Sequence, residues 1–169
     1  ITGTVSFKDC LFTGYNHLDS GYRLIIKYVN NVTIDDCDIS HIKNETLIGG
    51  IKIYKSERVT IRDTTLLHHK GANGGIINAQ KLGYLYMEDI IMEDTSADGL
   101  GGALYLDELN ECYMKHISIQ YSYAGAAGGA IYANDIKKME ISNNSTFFNN
   151  TASLDVKESF AGAAYFAKL

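Results

Sequence analysis

Basic residues are few and scattered in this chain of 169 residues. Fifteen Lys and Arg stand against 20 Asp and Glu, for a net charge of −5. Only Arg23, Arg58 and Arg62 supply guanidinium groups, and no basic cluster exists. That argues against a nucleic-acid partner, because such binding begins with a basic patch that neutralises phosphates. No apolar run approaches the roughly 18 residues of a membrane-crossing helix, and no signal peptide is recognisable. Helical periodicity is missing too. No stretch carries a 3.6-residue apolar period long enough for a two-helix repeat, and wide Gly and Asn usage disfavours helical arrays. A hydrophobic content of 46% and a charged content of 21% are ordinary for one folded domain.

What is present is a repeat of about 27 residues. Six segments share one frame, starting at Val5, Val32, Val59, Leu85, Cys112 and Met139, with spacings of 27, 27, 26, 27 and 27. A second landmark recurs later in the units as Gly49-Gly50, Gly74-Gly75, Gly101-Gly102 and Gly128-Gly129, with Ser20-Gly21 and Ala161-Gly162 as degraded copies. A period in the range of about 20–50 residues signals stacked supersecondary units. Each unit opens with period-two alternation, such as Val32/Ile34 and Val59/Ile61, which reads as a half-buried strand. Short apolar stretches follow at Leu11-Phe12, Ile90-Ile91-Met92 and Ile117/Ile119, and again after the glycines at Ile51/Ile53, Ile76-Ile77, Ala103-Leu104 and Ala130-Ile131. Three short strands per coil predict an all-β, right-handed parallel β-helix of about six coils. One solenoid domain would then span 1–169. A leucine-rich repeat would need a Leu/Asn consensus that is missing, and a β-sandwich would not explain the constant period.

Stacked coils place like positions in ladders about 4.8 Å apart. The first inward column is expected to be Val5, Val32, Val59, Leu85, Cys112 and Met139, and the second Phe7, Ile34, Ile61, Met87, Met114 and Ile141. One outward column, Lys8, Asp35, Arg62, Glu88 and Lys115, alternates in sign, so each neighbour is an opposite-charge pair worth a few tenths of a kcal/mol. The strand after the glycines is ambiguous: Ile51/Ile53 suggests one facing and Ile131/Ala133 the other. The chain begins and ends inside the pattern with no capping helix. Open strand edges invite pairing, so the expected partners are other copies or adjoining β-helix segments, end to end, within a longer solenoid.

Sequons occur at Asn31, Asn44, Asn143, Asn144 and Asn149. Five exceed what the Ser and Thr content produces by chance, so N-glycosylation on a secreted surface is expected. Turn-rich β-helices also generate sequons as a by-product, and Asn143 and Asn144 overlap, so crowding allows only one of them to be used. Cys10 and Cys37 share a column of adjacent coils, within reach of a disulfide by Cα separation. Parallel side chains keep their Cβ atoms too far apart for good geometry, which favours stacked thiols. Cys112 reads as a small apolar residue.

Two polar columns carry the candidate chemistry. Asp9, Asp36, Asp63 and Asp89, continued by His116 and Asn143, form a carboxylate row that would repel itself unless hydrogen-bonded or bridged by a cation such as Ca2+. The structural alternative is a turn ladder, since Asp and Asn favour bends and bond the local backbone; this is the preferred reading. His41, His68, Asp94 and Tyr121, with His69 alongside, offer two imidazoles and a carboxylate for a metal or an acid/base pair, against solvated turn residues. Gly99-Leu100-Gly101-Gly102 looks like a phosphate loop, but its recurrence makes these bend residues, and no cofactor motif is recognised. Tyr105, Tyr132 and Tyr165 form an aromatic column that either stacks on sugar rings or fills the core.

The coil boundary at 128–150, GGAIYANDIKKMEISNNSTFFNN, resembles the repeats of the polymorphic outer-membrane proteins of intracellular bacteria. Its GGA[ILV] and FxxN motifs correspond to Gly101-Gly102-Ala103-Leu104, Gly128-Gly129-Ala130-Ile131 and Phe147…Asn150. The whole chain resembles pectin-lyase-like β-helix repeat proteins, which also occur among large secreted and surface proteins of protists. The resemblance implies an extracellular or cell-surface role in adhesion, coat or scaffold. The paired-Asp, Gly-His-Gly and Arg-Ile-Lys signatures of polygalacturonases are missing. The expected function is therefore a non-catalytic structural or adhesive scaffold, such as a subunit of a surface fibre or filament, with a polysaccharide lyase, glycoside hydrolase or glycan-binding β-helix as the alternative. No residue is assigned a catalytic role.

Overall fold

The computed structural model describes residues 3–12, 21–40, 49–153 and 162–168. These form thirteen strands: β1 (Thr4–Lys8), β2 (Leu11–Phe12), β3 (Tyr22–Lys27), β4 (Asn31–Asp35), β5 (Asp38–Ser40), β6 (Gly49–Leu67), β7 (Lys70–Gly71), β8 (Ile77–Ala97), β9 (Leu104–Ala124), β10 (Ile131–Ser142), β11 (Thr146–Phe148), β12 (Thr151–Ala152) and β13 (Ala164–Phe166). There is no helix among the described residues. The main path through the sheet is β1-β4-β6-β8-β9-β10-β13, with parallel pairing at every step. The result is a β-solenoid of about five turns.

The ladders run as the repeat frame predicts. Val5 pairs with Val32, Val32 with Val59, Val59 with Leu85, Leu85 with Cys112 and Cys112 with Met139. The column from Phe7 to Ile141 is continuous in the same way. Val59, Ile61, Leu85, Met87, Cys112 and Met114 are all 0% exposed. Each fully buried aliphatic side chain of this size stabilises the fold by roughly 1.5–3 kcal/mol. Strand formation here follows from β-branched and apolar residues at alternate positions, which fill one face of the pleat.

The corners differ from expectation. Three short strands separated by turns are predicted, yet pairing continues through the bends, so β6, β8 and β9 are 19, 21 and 21 residues long. The reason is that each bend occupies one residue with left-handed backbone. Asp36 (φ 52), Lys55 (φ 54), Asp63 (φ 44), His68 (φ 59) and Lys81 (φ 57) mark successive corners. A single left-handed residue turns the chain while its N–H still reaches the next coil. Asp36 N–H donates to Arg62 O at 3.2 Å and His68 N–H to Glu93 O at 3.0 Å.

The strand after the glycines has one facing throughout. Ile51 pairs with Ile77, Ile77 with Leu104 and Leu104 with Ile131. Ile51/Ile53, Ile77/Ala79, Leu104/Leu106 and Ile131/Ala133 are all 0% exposed. The apparent conflict between Ile51/Ile53 and Ile131/Ala133 is thus removed, since both pairs occupy the same two inward columns. This register also corrects the glycine landmark. Gly49-Gly50 stands one residue out of step, with Gly50 bonded to Gly75 O at 3.1 Å. Gly49 is glycine for a separate reason: the Tyr22 ring lies over it, and a Cβ there would come 2.6 Å from Tyr22 Cδ1. Ser20 and Ala161 lie outside the described residues.

Gly74, Gly101 and Gly128 have φ of 65, 66 and 66. Gly102 has ordinary φ but no room, because a Cβ there would collide with Gly129 O and with the Tyr123 carbonyl. Gly21, by contrast, would meet nothing within 4 Å. Gly102→Ala is therefore expected to lower stability by about 3 kcal/mol, and Gly21→Ala to change it by less than about 0.5 kcal/mol, in urea denaturation. Equal midpoints for the two variants would contradict this packing.

Candidate functional site

Asp9, Asp36, Asp63 and Asp89, followed by His116 and Asn143, occupy the first corner with φ of 51, 52, 44, 55, 48 and 53. Asn, Asp and His are the non-glycine residues that enter this region most readily. The composition of the column thus matches its backbone job. All four carboxylates are exposed, and Asp9, Asp36 and Asp63 share a shallow, open depression that Lys8 and Asp35 also line. Within the row, His116 Nδ1 lies 3.2 Å from Asp89 Oδ1. Among the described residues, no group of three or more His, Cys, Asp or Glu converges on one point.

His41 lies outside the described residues. The rest of its expected column forms the third corner: His68 (φ 59), Asp94 (φ 54) and Tyr121 (φ 53), continued by Asn149 (φ 49). His68 Nδ1 sits 3.2 Å from Asp94 Oδ2, and Tyr121 meets the Phe148 ring edge-on at 5.8 Å. Proximity along the column is therefore real for His68 and Asp94. His69 separates from them. It follows the corner, points inward and is 0% exposed, with Nε2 2.6 Å from Ile39 O.

His69 belongs to an inward polar column that sequence reasoning missed. Its counterparts one step after each corner are Thr95, Ser122 and Asn150. Thr95 Oγ1 lies 3.0 Å from Gly102 O and 3.1 Å from Ser122 Oγ. Asn150 Oδ1 accepts from Ser122 N–H at 3.0 Å, and its amide donates to Ile119 O at 2.9 Å. This gives the Asn of the FxxN motif a structural job: it pairs backbone groups of the preceding coil that would otherwise be buried and unpaired. The usable signal was position, since each of these residues directly follows a corner residue.

The second corner was also missed. It holds Tyr28 (φ 59), Lys55 (φ 54), Lys81 (φ 57), Glu108 (φ 55) and Asp135 (φ 52). Its side chains pair along the axis: Lys81 with Glu108 at 3.2 Å and Lys168 with Asp135 at 3.1 Å. Lys55 Nζ lies 5.6 Å from the Tyr28 ring centre and 5.4 Å from that of Tyr54.

Tyr105, Tyr132 and Tyr165 face outward. Their rings stack at 5.6 and 5.4 Å with interplanar angles of 5° and 23°. Burial, reinforced by Asp107, pushes the Tyr105 phenol up to about 12. Cys10, Cys37 and Cys112 are free thiols. Cys10 and Cys37 adopt one posture, each donating to the carbonyl two residues earlier, Lys8 O at 3.2 Å and Asp35 O at 3.3 Å. Burial raises the Cys37 thiol and lifts that of Cys112 to about 12. The sequon residues Asn31, Asn143, Asn144 and Asn149 are exposed, and Asn44 lies outside the described residues.

The class these features define is a parallel β-solenoid with single-residue corners. No protein-family model, curated protein or solved structure matches the chain. The likeness to GGA[ILV]/FxxN repeats therefore rests on those residues alone.

Two outcomes follow. If Asp36 serves the bend, Asp36→Asn stays within about 0.5 kcal/mol of the parent, while Asp36→Ala loses about 1 kcal/mol because alanine resists left-handed backbone. A melting temperature that rises with Ca2+ in the parent and loses that response in Asp36→Asn would instead mark a cation site. The Tyr105 phenol is neutral in both folded and unfolded chains below pH 10. Above that the unfolded chain ionises first, so stability is expected to fall between pH 10 and about 12. Tyr105→Phe should flatten that fall in alkaline denaturation curves.

Proposed function

We propose that the chain is a non-catalytic structural or adhesive β-solenoid of the extracellular space or cell surface, built into fibres by end-to-end stacking. The observation that carries this reading is the continuous in-register ladder. Its inward columns stay apolar and sealed, with Val59, Leu85 and Cys112 at 0% exposure, while the polar columns are taken up by bends and by contacts along the axis. A ladder of this kind extends by adding coils in the same register.

The carbohydrate-active alternative would draw on the Asp and Tyr columns. The Asp residues already serve the bends, and the Tyr rings give their faces to one another, so both columns have a role within the fold. The exposed sequons agree with a secreted, glycosylated chain.

Electron microscopy of the purified chain over a range of concentrations tests this. Rods of uniform width that lengthen with concentration, giving an axial fibre reflection near about 4.8 Å, are the expected result. Discrete particles at every concentration would overturn the fibre reading.

A further inference from the structure

We infer that Tyr105 and Tyr132 form an oxidative modification site, where a one-electron oxidant of the peroxidase class, fed by hydrogen peroxide, joins the two rings into a dityrosine that staples successive coils. Both rings belong to one chain, so the inference stands apart from the fibre reading. Tyr105 and Tyr132 are ladder partners, and their rings stack at 5.6 Å with an interplanar angle of 5°. The residues on either side of them, Leu104, Leu106, Ile131 and Ala133, are 0% exposed. The backbone therefore holds both tyrosines on the outer face. Their rings are half-buried, within reach of an oxidant in solvent. Rings in register present like carbons to each other, and closing the remaining gap needs side-chain rotation only.

The surroundings favour this pair over the other tyrosines. Asn134 Nδ2 donates to Asp107 Oδ1 at 2.8 Å, which fixes a carboxylate beside the stack. Burial, then Asp107, raises the Tyr105 phenol, and burial, then Tyr165 and Asp107, raises that of Tyr132. Both phenols thus keep their protons at neutral pH, with a carboxylate placed to accept one as the electron leaves. Tyr84 and Tyr113 are as close, at 5.5 Å, but tilted by 40°. Arg58 Cζ lies 4.3 Å from the Tyr84 ring centre, and Lys138 Nζ 5.0 Å from that of Tyr113. A cation over a ring opposes withdrawal of an electron from it, whereas a nearby carboxylate assists. Tyr165 stacks on Tyr132 at 5.4 Å, at a wider angle of 23°.

The chemistry balances within the pair and its oxidant. Each phenol gives up one electron and its hydroxyl proton, leaving two tyrosyl radicals face to face. A bond forms between the carbons ortho to the two oxygens. The hydrogen on each joined carbon then moves to its oxygen, which restores both hydroxyls. Two electrons and two protons have left the pair, and one molecule of hydrogen peroxide takes them up to give two of water. The product closes a loop of one repeat between adjacent coils, so it constrains the unfolded chain as a disulfide across the same span does.

Peroxidase treatment of the dilute full chain tests this. A haem peroxidase and hydrogen peroxide are added, and the monomer is isolated by size exclusion. The expected monomer shows dityrosine fluorescence, is lighter by two hydrogen atoms, and yields a proteolytic fragment in which tandem mass spectrometry joins Tyr105 to Tyr132. Tyr105→Phe and Tyr132→Phe keep every ring in place, and with circular dichroism matching the parent each is expected to lose most of that fluorescence. Tyr84→Phe is expected to retain it. N-acetyltyrosine, oxidised separately under the same conditions, reports that the oxidant is active. A monomer without dityrosine while that reporter couples would overturn the inference. So would a link mapped to Tyr84 and Tyr113, or to Tyr132 and Tyr165 alone, or fluorescence undiminished in Tyr132→Phe.

Discussion

Everything in this molecule follows from parallel, in-register stacking of like positions. A backbone ladder between successive coils puts each residue directly over its counterpart one repeat away. A mismatch in one coil is therefore felt by the coils above and below it. An inward position must be apolar or find its hydrogen bonds within the column. An outward position must tolerate its neighbours' charge. The alternation of Lys8, Asp35, Arg62, Glu88 and Lys115 along paired positions satisfies the second requirement. Exposed pairs of this kind contribute only up to about 1 kcal/mol each. Arg62 Nε and Glu88 Oε2, 3.8 Å apart, are a loose contact of this type. The alternation guards the register more than it adds stability.

The corners solve the remaining problem of bending a sheet without breaking its ladder. One left-handed residue per bend does this, at a backbone cost of roughly 1–2 kcal/mol for residues other than Gly, Asn and Asp. The first corner keeps that cost low with Asp, His and Asn. The second corner accepts Tyr28, Lys55, Lys81 and Glu108, whose side chains pair along the axis with rings and opposite charges. The inner polar column from His69 to Asn150 closes the third bend by pairing backbone groups of adjacent coils. Polar residues that look like candidate chemistry in a linear reading thus divide into bend formers and internal staples.

Much of this was legible from spacing alone. The columns of Val59 and Ile61 and the alternating-charge column could be read because alternation and period reinforce each other. The Asp9–Asp89 row was legible as a turn ladder because Asp has a known liking for bends. The second corner was not legible, since Lys and Tyr carry no left-handed preference and only the ladder imposes it. His69, Thr95 and Ser122 were hidden because polarity suggests the surface, whereas their place inside depends on a bend one residue earlier. The phase of Gly49-Gly50 was misread because the next glycine pair follows after 25 residues while the ladder step there is 26 residues, from Ile51 to Ile77. For His68 and Asp94 the frame foretold proximity, but proximity along one axis does not define a reaction.

The most direct test of the stacked-column account is nuclear Overhauser contact between backbone protons across coils in the isotope-labelled chain, read with backbone chemical shifts. The account predicts inter-coil contacts linking Val32, Val59, Leu85 and Cys112 in series, with left-handed shifts at Asp36, Asp63, Asp89 and His116. Contacts displaced by a residue, or extended-strand shifts at those four corners, would contradict it.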